Sequence, residues 1–537
     1  MILWAGPLLP LTALAWPLLL ATLIALPGLR TQGVRLLPLA PLPALWLALA
    51  GNEALTTAPD LLLGVTLGLT EGGRLLLGMA AALWCLAGLA AQPMAGKPNA
   101  ALFAGFWLLT LTGNLGVFLA QDIVTFYVAF AAVSLAAWFL IVHDRSATAM
   151  RAGKVYIVIA LAGEVALLVG LLLGADAAGG MMIADVRDAI GVTGLVLLVI
   201  GFGIKAGLVP LHVWLPLAHP AAPVPASAVL SGAIVKAGLF GLLLFLPEAT
   251  FGPVLMGLGV TGAFAAALWG LTQWDAKAVL AYSTISQMGL MIGLIGAGGA
   301  AREAVPYFAL HHGFAKGALF LCVGVMLAAG TQAQRLACLA VAGVVAASVA
   351  GLPLSGGALA KSLAKDGLSE DAALVLSLSS AATSLILAWF LVRLSQVTGA
   401  DGATRWAARL FVPGLAGVLA IAVPWALWPA VSGKDLAYLV TADTMLDALW
   451  PLGLAANLAV IRWGLASHPP GDVLLPLGRL RIGSVAISVP NPAARNTPAL
   501  FENGRRMSAW VETTLSRWRI SGFLIALLVL LIFALLA

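Results

Sequence analysis

The chain reads as a succession of long apolar runs separated by short polar or Pro/Gly-rich breaks, and runs of about 18 or more apolar residues recur from one end to the other. Val192 to Gly203, continuing through Lys205 to Pro210, and Ser521 to Ala537 are two examples, each long enough to cross a bilayer. The pattern predicts about 14 to 16 transmembrane helices, at approximately 2–28, 34–51, 75–91, 98–118, 121–142, 152–174, 189–210, 224–246, 253–272, 277–297, 303–328, 335–352, 357–395 (interrupted), 408–430, 446–466 and 519–537. A spanning β-barrel would show alternating segments of about ten residues. These runs are continuously apolar and dominated by Leu and Ala, so the predicted fold class is an all-α polytopic membrane protein.

Composition agrees. With 62% hydrophobic and 9% charged residues in 537, and a mean hydropathy of +1.05, the chain has too little polar surface to cover a water-soluble globule of its size. The net charge of +6 forms no block or stripe; Lys and Arg are scattered between apolar runs as flanking anchors, which argues against a nucleic-acid partner. Arg30, Arg35, Lys97, Arg145, Arg151 and Lys154 fall in alternate loops, which are expected to face the cytoplasm of a bacterial-type inner membrane and leave the N-terminus on the outer side. The first run, Ile2 to Leu29, lacks a basic leader and exceeds a signal-peptide core, so it is read as a retained helix. Ser467 to Trp518 is rich in Arg, Pro, Asn and Ser, and reads as an extramembrane or interfacial segment before a last anchoring helix. Cys85, Cys322 and Cys338 sit in apolar surroundings without CxxC spacing and read as small core hydrophobes.

An ionisable side chain at bilayer depth costs at least a few kcal/mol, so each needs a reason. The candidates are Glu164 in LAGEVALL, Lys205 in GFGIKAGLVP, Lys236 in SGAIVKAGLFG, His311, His312 and Lys316 in HHGFAKGALF, and Lys361 and Lys365 in GALAKSLAKD. A lysine near a helix end can instead snorkel to the interface, and for Lys277 beside Asp275 that reading stands level with a functional one. Lys316 follows His312 by four residues, which puts both on one helix face, as a proton relay or an interhelical packing role would require. Two helices are predicted to break at depth. The stretch KAGLVPLHVWLPLAHPAAPVPAS holds Pro210, Pro216, Pro220, Pro223 and Pro225, and GLPLSGG, with Pro353 and Gly356, precedes Lys361. Proline removes a backbone donor and clashes with the preceding turn, and transport proteins place ions where such breaks expose backbone groups. No GxxxxGK[ST], HExxH or correctly placed GxGxxG occurs, and adjacent His311 and His312 cannot chelate one metal from one helix face, so no metal is expected.

The stretch GIKAGLVPLHVWLPLAHPAAPVPASAVLSGAIVKAGLFG, then DAKAVLAYSTISQMGLM, HHGFAKGALF and GLPLSGGALAKSLAKD, resembles the antiporter-like subunits of respiratory complex I, in a superfamily shared with Mrp-type cation/proton antiporters and membrane-bound hydrogenases. The motifs occur in the family's order over roughly residues 100–395. The resemblance implies two inverted five-helix repeats, each with a broken helix: N-terminal helices at 1–97, a first repeat at 98–246, a second at 247–430, and a C-terminal helix, polar segment and anchor at 431–537. By motif position Lys205 matches the lysine of the first broken helix, Lys236 a connecting lysine, His312 and Lys316 the central pair, and Lys361 the exit residue of the second broken helix. A relay of this kind works because desolvation disfavours a charged amine while an approaching acid favours it.

The chain departs from the family at one point. Relatives carry a glutamate on the fifth helix that pairs with the first lysine; here FYVAFAAVSLAAWFLI puts Ala131 in its place. Glu164, after Gly163 on the next helix, is a candidate substitute partner for Lys205. The expected function is therefore a proton- or Na⁺/H⁺-translocating subunit of a larger membrane complex, with no flavin, iron–sulfur or NADH site of its own and other membrane subunits as partners. The competing readings are a non-conducting structural subunit that has lost the glutamate, the membrane subunit of an inorganic-carbon uptake system, and an independent transporter of organic solutes, which predicts a substrate-sized midplane cavity.

Overall fold

The computed structural model describes residues 8–26, 32–51, 55–248, 251–399 and 406–464. The predicted polar segment at 467–518 and the final helix at 519–537 lie outside the described residues. Among the described residues, 12 helices are long and apolar enough to cross a membrane, and two shorter apolar helices, Leu9–Ile24 and Val192–Ala206, join them. The protein is a multi-pass, all-α membrane protein.

In chain order the helices are α1 (Leu9–Ala25), α2 (Gly33–Ala50), α3 (Glu71–Ala90), α4 (Ala100–Leu119), α5 (Ile123–Ile141), α6 (Ala147–Ala178), α7 (Val192–Ala206), α8 (Trp214–Ala221), α9 (Val224–Phe245), α10 (Gly252–Gly270), α11 (Ala276–Ala297), α12 (Val305–Leu327), α13 (Gln332–Ala350), α14 (Gly356–Lys365), α15 (Glu370–Ser395), α16 (Trp406–Ser432) and α17 (Ala442–Gly464). Polar residues at the loop edges start them. Asp122, Ser146, Asp275, Ser355 and Ser369 each accept a hydrogen bond from a backbone N–H of the following turn, and Thr331 with Gln334 forms a reciprocal cap on α13; each such cap stabilises its helix by about 1 kcal/mol. A short antiparallel hairpin, Thr56–Ala58 against Val65–Leu67, lies between α2 and α3.

The core is unequal. All of α11 and nearly all of α9 and α12 are buried, whereas α13 and α16 bury about a third of their apolar length and present the rest outward. The buried trio carries the polar residues at depth, which is why these helices cannot be read by an apolar stripe alone.

Both expected breaks are present, and each begins at a glycine in the left-handed region, where a side chain would be strained. Gly207 (φ +80°) ends α7, and Gly351 (φ +99°) ends α13. The first link, 207–213, contains Pro210; the second, 351–355, contains Pro353, and Gly356 is the first residue of α14. Pro216 lies elsewhere than the sequence pattern suggests. It occupies the first turn of α8, where its missing N–H would have had no intrahelical partner in any case. The run predicted as one interrupted span at 357–395 divides at Asp366–Ser369 into α14 and α15. Within α9, residues Leu230–Ile234 form a wide π-helical turn.

Candidate functional site

Seven of the eight candidate side chains named at depth are turned inward. Glu164, Lys205, Lys236, His311, His312, Lys316 and Lys361 are each at most 5% exposed. Lys365 is not among them; it sits at the surface end of α14, paired with Asp447.

Glu164 on α6 and Lys205 on the last turn of α7 meet through Ser134 of α5. The Lys205 ammonium donates to the Ser134 hydroxyl, which in turn reaches the Glu164 carboxylate. Tyr156 donates to the Ser134 carbonyl at 2.9 Å and fixes that turn. The ammonium also lies over the rings of Phe130 (5.2 Å) and Tyr156 (5.9 Å), a placement that favours a cation where water is scarce. Phe130 belongs to an aromatic cluster, packing edge-on with Phe202, while Phe126 packs edge-on with Phe202 and Phe245. The free space beside Glu164 and Lys205 is ≈ 10 Å³, room for one water and none for an organic solute. Ala131 is one helical turn from Ser134 and half-buried. The sequence puts Ala131 where the resemblance implies an acid, and an acid from the neighbouring helix reaches Lys205 through a hydroxyl.

Lys205 and Lys236 sit on helices pressed together. A side chain at Gly238 of α9 would come within 2.5 Å of the Phe202 carbonyl and 3.0 Å of Lys205 Cβ. Lys236 Nζ lies 2.7 Å from the Ser231 carbonyl and 2.7 Å from His312 Nδ1. With the amine as donor, Nδ1 accepts and the ring proton sits on Nε2, which has no protein partner. Ser231 and Thr284 of α11 share a hydrogen bond of 2.7 Å, and Lys316 Nζ donates to Ser283 at 2.5 Å.

One turn along α11, Gln287 donates to Thr383 of α15 at 2.8 Å, and one turn back from Thr383, Ser380 accepts from Lys361 Nζ at 2.7 Å. Lys361 also donates to the Ala350 carbonyl freed by the break (3.3 Å). His311 faces away from His312: its Nδ1 donates to the Ala420 carbonyl of α16 at 2.9 Å, while its Nε2 faces the start of α14 at Gly357. Polar groups thus recur from Glu164 to Lys361.

Several members of this file were not among the sequence candidates. Ser134, Ser231, Ser283, Thr284, Gln287, Thr383 and Ser380 carry no charge, and hydroxyls in apolar helices commonly bond the carbonyl four residues back, as Ser134 also does to Phe130 (3.0 Å). His219 of α8 stands in LAHPAAP, where the surrounding prolines dominate the sequence pattern. It is fully buried, stacked on Phe320 at 4.5 Å, with neither ring nitrogen bonded to protein. Lys277 turns inward rather than snorkelling and donates to the Ala222 carbonyl at 2.6 Å. Cys322 and Cys338 are buried free thiols; Cys85 is half-buried.

Two broken membrane helices, each with a buried lysine, flanking a central Lys/His cluster, place the protein in the antiporter-like class of membrane subunits. The core at residues 120–386 matches the family described as NADH:quinone oxidoreductase/Mrp antiporter, TM, and the chain belongs to the superfamily of complex I, Mrp antiporters and membrane-bound hydrogenases. It is 33% identical over 258 residues to hydrogenase-4 component B of Escherichia coli K12, covering 43% of this chain and 38% of that one. With NADH-quinone oxidoreductase subunit M of Pseudomonas aeruginosa PAO1 it shares 32% over 241 residues, 40% of this chain and 47% of the other. The match thus spans less than half the length of these relatives. Its fold is similar to a chain in the structure of the Mrp complex from Dietzia sp. DQ12-45-1b, with a TM-score of 0.75 and 23% identity over 98% of this chain and 62% of that chain.

Proposed function

We propose that the protein is an ion-translocating, antiporter-like subunit of a larger complex in a bacterial-type inner membrane, passing protons through Glu164, Lys205, Lys236, His312, Lys316 and Lys361. The observation that carries this reading against a purely structural role is the Glu164–Ser134–Lys205 link: the family acid is missing at Ala131, yet the first lysine still has a carboxylate joined to it by hydrogen bonds. A buried lysine without that partner would have no opposite charge joined to it through which to switch. With it, an arriving proton at Glu164 and a charge change at Lys236 each alter the balance at Lys205. Lys205, Lys316 and Lys361 each donate to a serine hydroxyl, and Lys236 meets His312 directly, so a donor–acceptor contact stands at each of these points of the file. H⁺ is the transported ion on this reading, because amines and imidazoles bind it directly and the first link leaves space for one water.

The partners are other membrane subunits, and any redox cofactors belong to them. The test is co-purification of those subunits, followed by ion flux of the complex in sealed vesicles. Lys236→Ala and His312→Ala are expected to abolish flux with the complex intact; undiminished flux in both variants would leave the scaffold reading in place.

A further inference from the structure

The two breaks differ in how much space surrounds their lysines. Beside Lys205 there is ≈ 10 Å³; beside Lys361 there is a cavity of ≈ 480 Å³. Its inner wall is formed by Lys361, Ser377 and Ser380, and its outer wall by Lys365 of α14 and by Asp443 and Asp447 of α17. A cavity of that size lined by charged and hydroxyl groups has room for many waters, whereas the first site has room for one at most.

The α17 part of the outer wall comes from a segment beyond the family match, which ends at residue 386. Two ion pairs tie it down. Lys365 pairs with Asp447, and Asp366, in the link after α14, pairs with Lys434 at 2.7 Å. Lys434 lies 4.4 Å from the ring of Tyr438, which stacks in turn on Trp428 of α16. The turn at Leu436–Val440 and the start of α17 are therefore pinned across the broken helix. Lys365 is 18% exposed and Asp447 50% exposed, so this pair stands where the cavity meets the outside. Four residues separate Lys365 from Lys361, which places both amines on one face of α14, one at the mouth and one at the inner end.

The resemblance already implies that the file ends at Lys361, with this cavity as its way out to bulk water; we propose that the Lys365–Asp447 pair, brought by α17, is the gate of that cavity. The proposal rests on the relay reading above. When the pair is closed, Lys365 is occupied by Asp447 and the start of α17 narrows the mouth. When it parts, Asp447 is released as a carboxylate that can take a proton from the Lys361 side, and water has a clear way in.

Thiol accessibility tests this without requiring transport. Ser377→Cys, at the inner wall, is treated in membranes of the intact complex with a charged, water-soluble methanethiosulfonate, and modification is followed by mass spectrometry so that Cys85, Cys322 and Cys338 are scored separately. Ser134→Cys at the first break is the dry reference, and Ser362→Cys, a second position on the cavity wall, serves if Ser377→Cys does not assemble. Cavity thiols are expected to react at least about tenfold faster than Ser134→Cys. Adding Asp447→Ala should raise their rate about fivefold, the factor corresponding to about 1 kcal/mol, the usual upper worth of a partly exposed ion pair. Equal rates at cavity and reference positions would overturn the mouth. An unchanged rate with Asp447→Ala would overturn the gate. Because labelling reports water access and not flux, failure of the relay reading would show instead as undiminished flux in the Lys236→Ala and His312→Ala variants, with the labelling pattern unaltered.

Discussion

Ser134→Ala isolates the link on which the functional reading turns. The substitution deletes one oxygen atom from a fully buried position and leaves Glu164, Lys205 and the surrounding rings in place. In the native protein that oxygen accepts from the Lys205 ammonium and reaches the Glu164 carboxylate, whose second oxygen already lacks a protein partner. Hydrogen bonds to charged groups contribute about 1.5–3 kcal/mol each. Loss of one from the path of a proton raises the barrier by about 1.5 kcal/mol or more, a drop of about tenfold or greater in flux. The assay is proton flux in vesicles containing the intact complex, read with a pH-sensitive dye, beside a native gel that reports assembly. Ser134→Thr keeps the hydroxyl and should retain flux. The double variant Ser134→Ala, Ala131→Glu places an acid one turn away on the same helix and should recover part of it, because positions 131 and 134 are helical neighbours. Flux within twofold of the native level in Ser134→Ala, together with native flux in Glu164→Gln, would refute the reasoning: Lys205 would then need neither the hydroxyl nor the acid.

Three further outcomes are expected. Lys361→Ala should block flux while leaving the complex assembled, since the side chain is held by Ser380 and the Ala350 carbonyl and its loss frees only those two acceptors; sustained flux would show that the file ends elsewhere. Gly238→Ala should lower thermal stability by about 1–3 kcal/mol, because the added carbon would stand 2.5 Å from the Phe202 carbonyl and 2.6 Å from the Ala206 nitrogen, and unchanged melting in detergent would mean that α7 and α9 are not in such close contact. Tyr307→Phe removes a hydrogen bond of 2.7 Å to the Pro424 carbonyl that is outside the file, so melting should fall by about 1 kcal/mol with flux preserved; a flux defect would enlarge the set of groups that matter.

What the sequence shows and what it hides follow from how each feature is encoded. Hydropathy alone carries the membrane class and most helix positions, because apolar length is the dominant cost in lipid. Lys205, Lys236, His312, Lys316 and Lys361 stand out for the same reason: an ionisable group flanked by apolar residues on both sides is costly at bilayer depth. The breaks are legible from Gly207 and Gly351 followed by proline two or three residues on. Ser134 and Ser380 are not legible, since a serine in an apolar helix reads the same whether its hydroxyl bonds its own helix or a neighbour's lysine. Lys365 reads from sequence as another member of the buried set; only the packing of α17 shows that it answers to Asp447, 82 positions away. Pro216 illustrates the opposite limit, because proline marks a break only when its position within the turn would otherwise need the N–H.

The wide turn at Leu230–Ile234 sets the azimuth of everything after it on α9. In an uninterrupted α-helix, residues five apart point about 140° away from each other, yet Lys236 folds back onto the carbonyl of Ser231 while Ser231's own hydroxyl reaches Thr284. The extra residue in that turn acts as a phase correction. Shortening the helix there by one position would swing Lys236 about 100° off the direction of His312, so length at this point of the chain is constrained as tightly as identity.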